Sequence, residues 1–272
     1  MSRIVCSTAV EGQTGFLIAK LLMKKLESLG AWSSPTSRAA SGPSSRPSSR
    51  RYEITLELVL AAKKAGVPNV VLISSAGCDY ADPVRQPRLR QFIDIETAVL
   101  STKGDTGTAT GHLPCIICAD FYAENLLLYP EQAKVESVLP LPIGESNKFA
   151  PVALGDVSHL AADVLTGKGK HEFDDRHRGQ MVVMTEAIGA TLDFENISIS
   201  EAKRILSVQS ESDKSEQEYI LDYYSLVREG KTNFVATTAF QFVTDVQATE
   251  PDDFDFFKLY AAELRPRKKV KA

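Results

Sequence analysis

Residues Asn69 to Ser75 read Asn-Val-Val-Leu-Ile-Ser-Ser, four consecutive aliphatic side chains with no polar alternation. A strand with one wet face alternates apolar and polar residues. An unbroken apolar run of strand length instead fits a strand buried on both faces, as in a parallel sheet covered by helices. The flanking residues agree. Glu53 to Ala65 has a helical pattern that Gly66 stops, Pro68 introduces the strand, and Gln91 to Leu100 reads as a further helix. Helix, doubly buried strand and helix in succession point to an α/β architecture.

The beginning of the chain repeats that logic. Arg3 to Val10 is a short apolar strand pattern, Gly12-Gln13-Thr14-Gly15 is a turn, and Phe16 to Leu29 is a helix with Ile18, Leu22, Leu26 and Leu29 on one face and Gly30 as its stop. Glycines in such a turn let a phosphate approach bare backbone, and the helix at Phe16 aims its free N–H groups and positive dipole end at it. The fingerprint is incomplete. Ile18 stands where a third small residue belongs, with Ala19 one step late, and no acid lies about 20 residues on to read a ribose. Taken alone, the turn is read equally well as a phosphate cradle or as an ordinary tight turn.

Trp32 to Arg51 breaks the pattern. Rich in serine, with three prolines and no apolar periodicity, it reads as a linker or disordered loop. Beyond the second helix, His112 to Ile117 is a strand pattern leading into Phe121 to Tyr129. Lys148 to Leu154 is a further strand candidate, Asp156 is placed as the cap of a helix over Val157 to Leu165, and Gln180 to Thr185 is the next strand. Ser215 and Glu218 have capping-box spacing ahead of a helix over Tyr219 to Val227 that Gly230 closes. Phe234 to Thr244 is apolar and is expected over the core. Phe254, Phe257, Tyr260, Ala261 and Leu264 recur at helical spacing in a last amphipathic helix. No internal repeat is visible.

Composition narrows the class. Hydrophobic residues make up 43% of 272, enough for a sizeable core, and the net charge of −4 argues against wholesale nucleic-acid binding. No apolar run approaches the ~20 residues that span a bilayer. Four cysteines are too few for a disulfide scaffold in a chain this long. The expectation is a soluble protein of the cytoplasm, with the nucleus as a second location, no membrane contact and no direct nucleic-acid contact.

Ser74-Ser75-Ala76-Gly77 ends the doubly buried strand, and in open α/β sheets ligands sit at the carboxyl ends of strands. Two hydroxyls there could reach a nicotinamide ribose or a substrate carbonyl; the alternative is a strand end capped by serines. Cys115-Ile-Ile-Cys118 invites a metal or redox reading, but residues three apart in a strand point to opposite faces, so buried structural cysteines are expected. Cys78, just past the serine pair, is a candidate modifiable thiol. His171 and His177 around Asp174 and Asp175 read as a charged loop, and no metal site is expected. The basic stretch Arg265 to Lys271 reads as solvated.

Taken together, the residues resemble the NmrA-like group of atypical short-chain dehydrogenases/reductases. The matching stretches are GQTG at Gly12 to Gly15, AAKKAGVPNVVLISSAG at Ala61 to Gly77, FIDIETAVL at Phe92 to Leu100 and LPCIICADFYAENLL at Leu113 to Leu127. They continue with FAPVALGDVSHLAADVLTG at Phe149 to Gly167, FENISISEAKRIL at Phe194 to Leu206, YYSLVREGKTNF and DDFDFFKLYAAELRP, covering most of the chain outside residues 30 to 52. The resemblance implies an α/β fold, a Rossmann-type parallel sheet with a small, mostly helical C-terminal lobe. A nucleotide-binding core would run over 1–167, with the low-complexity insert at 32–51, and a lobe over 168–272 would cover the crevice, interleaved with the core. By position it implies that Gly12, Gln13, Thr14, Gly15 and Phe16 hold a pyrophosphate, that Ser74, Ser75 and Ala76 line the nicotinamide side, and that Phe121, Tyr122 and Asn125 close the pocket. The implied cofactor is NADP or NAD, with NADP slightly ahead.

The departures from the family bear on function. Reductases of this superfamily pair a tyrosine with a lysine four residues on, whose charge lowers the phenol pKa. Here Tyr80 is followed at that distance by Val84, and arginines 85, 88 and 90 exchange no proton at neutral pH. Cys118 stands where the family shows an arginine. Two βα units expected between the first helix and Tyr52 are replaced by the serine-rich segment, and a helix is missing between Thr185 and Glu186, so the resemblance implies a shortened or mis-spliced member. Arg38, Arg46, Arg50 and Arg51 could meet a 2′-phosphate but have no fixed geometry. The leading expectation is a nucleotide- or redox-sensing regulator that binds NAD(P)(H) and a partner protein, with no catalytic residue assigned. The alternatives are an NAD(P)H-dependent oxidoreductase acting on an acceptor such as a quinone, and a binding module without nucleotide.

Overall fold

A computed structural model describes residues 17, 18, 20–22, 24, 51–65, 67, 69–103, 113–136, 138–147, 151–166, 181–184, 193–209, 214–232 and 244. Its elements in chain order are α1 (Arg51–Lys64), β1 (Asn69–Ser75), α2 (Pro87–Ser101), β2 (Leu113–Ala119), α3 (Pro130–Glu136), β3 (Val138–Leu141), α4 (Leu154–Thr166), β4 (Met181–Met184), β5 (Asp193–Asn196), α5 (Ile199–Gln209) and α6 (Lys214–Arg228). Two 3-10 turns, Cys78–Tyr80 and Ala123–Leu128, follow the ends of β1 and β2.

The apolar run at 69–75 forms the expected strand, residue for residue, but Val70 to Ile73 are half-buried where full burial on both faces is expected. β1 pairs in parallel with β2, from Asn69 opposite Leu113 to Ser75 opposite Ala119. β2 pairs in parallel with β4, from Ile116 opposite Met181 to Ala119 opposite Met184. Alternation along β2 then assigns its side chains to two layers. Cys115 and Ile117 pack with Val157, Leu160 and Ala161 of α4 and with helical Ile18 and Leu22. Ile116 and Cys118 pack with Val59 of α1 and with Ile95 and Val99 of α2. A strand with helices on both faces has no wet side, hence its apolar composition. The two cysteines lie on opposite faces, both buried, as their spacing requires.

A second parallel pair, β3 with β5, runs from Val138 opposite Asp193 to Leu141 opposite Asn196. It borders a core in which Leu139 and Leu141 meet Leu89, Phe121, Tyr129, Ile205 and Leu206, together with Ile220, Tyr223, Tyr224, Leu226 and Val227 of α6. The fold is α/β and Rossmann-like.

Several element limits differ from expectation. β2 continues two residues past Ile117, which places Asp120 at its carboxyl end. α2 starts at Pro87, not Gln91; its N-terminal amides are capped from α6, where Asp222 Oδ2 accepts from Arg88 N at 2.7 Å and Leu89 N at 3.2 Å. α4 starts at Leu154, so Asp156 lies inside its first turn instead of capping it. The cap is Glu124, whose carboxylate accepts from Leu154 N at 3.0 Å. Ser215 likewise lies within the first turn of α6, buried, while Glu218 pairs with Arg88 at 2.8 Å. The strand expected at Lys148 to Leu154 reduces, among the described residues, to a single bridge between Val152 and Tyr122. Gly230 has φ of 69° just past α6, the left-handed stop expected there. The expected opening strand, the glycine turn, most of the serine-rich segment and the last amphipathic helix lie outside the described residues.

Candidate functional site

The carboxyl ends of β1 and β2 lie side by side, joined where Ala76 N donates to Ala119 O at 2.7 Å. Gly77 then turns the chain with φ of 79°, a left-handed conformation that a Cβ disfavours. In an open parallel sheet this is the end where a ligand meets the strands.

The adjacent serines of β1 point to opposite layers. Ser74 Oγ donates to the Glu96 carboxylate on α2, and Cys78 Sγ at 3.5 Å and Cys118 Sγ at 3.6 Å donate to the same oxygen. Ser75 Oγ shares a hydrogen bond of 2.8 Å with the Tyr219 hydroxyl of α6. The strand therefore brings one of the two expected hydroxyls, Ser75, to the α6 side, and commits Ser74 to the α2 layer. Ala76 is buried between them and the turn.

Phe121 is fully buried, its ring 5.4 Å from Tyr223 and 5.5 Å from Tyr224. Tyr122 is half-buried at the bridge to Val152, and Asn125 is half-buried in the following 3-10 turn, its N–H donating to Tyr122 O at 2.9 Å. Gly12, Gln13, Thr14, Gly15 and Phe16 lie outside the described residues.

Three acidic or phenolic residues at this end are absent from the sequence-based set. Asp120, 2% exposed, follows β2 directly. Its Oδ1 accepts from the Tyr223 hydroxyl and from Phe121 N, while its Oδ2 is buried with no partner among the described residues. Burial holds this carboxyl well above the usual carboxylate range, against the opposing pull of the Phe121 N–H. Tyr219 is half-buried, with its ring 5.7 Å from Phe92. Burial raises its phenol pKa, the Ser75 hydrogen bond acts the other way, and Tyr122, Asp120 and Cys78 push it further up electrostatically. Glu96 is buried under the β1 end. Asp120 has a readable signal, an acid directly after an apolar parallel strand. Tyr219 has none, because an aromatic on the apolar face of a helix reads as core.

Cys78 is 3% exposed and its thiol is pushed up by burial first and by the Glu96 charge second. It is not the accessible, thiolate-forming cysteine expected of a modification site. Among the described residues no group of three or more ligands suited to a metal ion is present, and no helix is long and apolar enough to cross a membrane.

No protein-family model matches the chain, and no curated protein matches it in sequence. Solved structures do resemble it. An NADPH-dependent quinone oxidoreductase from Escherichia coli, solved with NADPH, superposes with a TM-score of 0.63 at 17% identity, over 92% of this chain and 98% of that one. A triphenylmethane reductase from Citrobacter sp. gives 0.62 at 16% identity, over 90% and 95%. A nucleoside-diphosphate-sugar epimerase from Staphylococcus aureus gives 0.57 at 15%, over 78% and 73%. At these identities the likeness is one of fold.

Proposed function

We propose that this chain is an NmrA-like, NADP(H)-binding reductase that delivers reducing equivalents to a carbonyl or quinone acceptor at the carboxyl ends of β1 and β2. The observation that carries the reading is the hydroxyl pair of Ser75 and Tyr219, held where the carboxyl ends of two parallel strands meet. The hydroxyls of Ser75 and Tyr219, which can both donate and accept, suit the carboxamide or ribose of a nicotinamide. Bound in its reduced form, the dinucleotide supplies a hydride. In this reading Ser75 and Tyr219 would meet the nicotinamide half. In this reading Gly12 to Phe16 would take the pyrophosphate and segment 168–272 would cover the crevice. Supporting NADP(H) over NAD(H), the quinone oxidoreductase and the triphenylmethane reductase of like fold were both solved with NADPH or NADP(H).

A second reading, a nucleotide sensor that acts through a protein partner, is favoured by Val84 in the lysine position after Tyr80, and by Tyr80 itself being 56% exposed. Calorimetry with NADP, NADPH, NAD and NADH, followed by NADPH consumption over a quinone panel, separates the two. Binding with turnover is the expected result. Binding without turnover favours the sensor, and no binding of any of the four overturns both.

A further inference from the structure

We propose that the Tyr219 hydroxyl, held by Ser75 at the carboxyl end of β1, is the proton donor of the reductase reaction, in place of the tyrosine/lysine pair that this chain lacks; the inference rests on the reductase reading above.

The hydrogen-bond count supports the role. Ser75 and Tyr219 carry two O–H groups, and the 2.8 Å contact between them uses one. If Ser75 donates to Tyr219, the phenol O–H remains for an external acceptor. The competing acceptor for Ser75, the Ala76 carbonyl, lies at 3.4 Å, a much poorer hydrogen bond. The pair can thus present one O–H to a ligand oxygen at the strand ends.

The placement is rigid. Tyr219 precedes Ile220 on α6, and Ile220 and Tyr223 are almost fully buried in the core under that helix. The Phe92 ring of α2 flanks Tyr219 on another side. A donor fixed on a packed helix keeps its distance from the acceptor, which proton transfer needs.

Other candidates at this end are less suitable. Asp120 has Oδ1 committed to two donors and is shut off from solvent. The Cys78 thiol already donates to Glu96. Tyr219, by contrast, is half-buried as a residue, and its pair with Ser75 keeps one O–H that their mutual contact does not use. Burial keeps the phenol protonated across the neutral range, in the state a donor must be in.

The step balances. A hydride adds two electrons and one hydrogen to the acceptor, converting a quinone to its hydroquinone monoanion or a carbonyl to an alkoxide. The new O–H bond forms as the Tyr219 O–H breaks, and the phenolate then takes a proton from water. The overall change is one dinucleotide oxidised, one acceptor reduced by two electrons and one proton consumed.

The test is Tyr219→Phe, which keeps the ring and its packing and removes the hydroxyl, beside the full-length parent chain. NADPH affinity by calorimetry is expected to be unchanged. The kcat for NADPH-dependent reduction of 1,4-naphthoquinone is expected to fall roughly 100-fold or more, the usual contribution of a positioned general acid. A readout free of turnover accompanies it: affinity for 1,4-naphthoquinone in the presence of NADP falls roughly 2- to 10-fold in the variant, as expected for one lost hydrogen bond. Equal kcat in parent and variant overturns Tyr219 as donor and leaves the reductase reading standing. A variant that loses NADPH binding makes Tyr219 a cofactor contact and also overturns it. A parent chain that binds no dinucleotide, or binds it without turnover, removes the reductase reading and this inference together.

Discussion

The Tyr223 hydroxyl donates to Oδ1 of Asp120, and both residues are buried beneath the carboxyl end of β2. Because the carboxyl is buried and Oδ2 has no partner among the described residues, the uncharged acid is the form that this setting tolerates. The sign of the pH effect follows. Burial raises the folded-state pKa, so as pH climbs past the unfolded value of about 3.9 the unfolded chain releases this proton while the folded chain keeps it. Stability from this group is fully present below the unfolded value and is lost as pH rises toward the folded one. Asp120→Asn keeps an acceptor for Tyr223 and has no proton to release. Melting temperatures of parent and variant from pH 4 to 8 should therefore shift progressively in favour of the variant. Parallel profiles would show that the carboxyl does not titrate as described.

The Tyr129 hydroxyl donates to the Tyr224 hydroxyl at 3.1 Å, and neither residue is exposed. Burial pushes the Tyr129 phenol up to about 12, so it stays neutral. Tyr224→Phe strands the Tyr129 O–H without an acceptor and should cost about 1–3 kcal/mol. Replacing both by Phe removes donor and acceptor together and should cost clearly less than the sum of the single changes. Urea denaturation of the three variants measures the coupling, and strictly additive losses would contradict the hydrogen bond.

The described thiols should be inert in the folded chain. The attacking species is the thiolate, and burial pushes Cys115 up to about 12 and moves Cys78 and Cys118 further in the same direction, with Glu96 adding to both. Iodoacetamide at pH 8 should leave all three unmodified in the native state and label them in urea, read by peptide mass spectrometry. Since burial is the larger cause, Glu96→Gln should leave native labelling low. Rapid labelling of Cys78 in that variant would make the carboxylate charge the dominant effect.

Patterns set by one stretch of chain were readable in advance. The apolar run at 69–75 carried the parallel sheet because packing against both layers favours an unbroken apolar composition, even with Val70 to Ile73 half-buried, and the spacing of Cys115 and Cys118 carried their opposite faces because strand alternation is fixed. The helix starts were less legible. Asp156 and Ser215 look like caps locally, yet α4 is capped by Glu124, 30 residues away, and α2 by Asp222, over 130 residues away. Packing of α6 against α2 supplies the Asp222 oxygen and the 3-10 turn after β2 supplies that of Glu124, and no local motif encodes either. The same separation hid Tyr219, whose partner Ser75 is 144 residues distant. Ser74 and Ser75 were legible as a strand end, but their division between two layers needed the sheet.

The Asp222 cap makes the last case testable. Its Oδ2 takes two N–H groups at the start of α2 that would otherwise be orphaned, and the local candidate, Gln86, makes no side-chain cap. Gln86 is instead buried, donating to Ser225 Oγ at 3.0 Å and Glu229 Oε1 at 2.9 Å, so it cannot swing back to substitute. Asp222→Ala should cost about 1–2 kcal/mol, within the range for lost helix caps. Asp222→Asn retains an acceptor oxygen but loses its charge at the positive helix end, and should cost roughly half as much. Chemical denaturation ranks the pair, while amide exchange reports the site: Arg88 and Leu89 should lose protection more than residues in the middle of α2. Uniform loss along the helix, or no difference between Ala and Asn, would mean that Asp222 acts by packing and not as a cap.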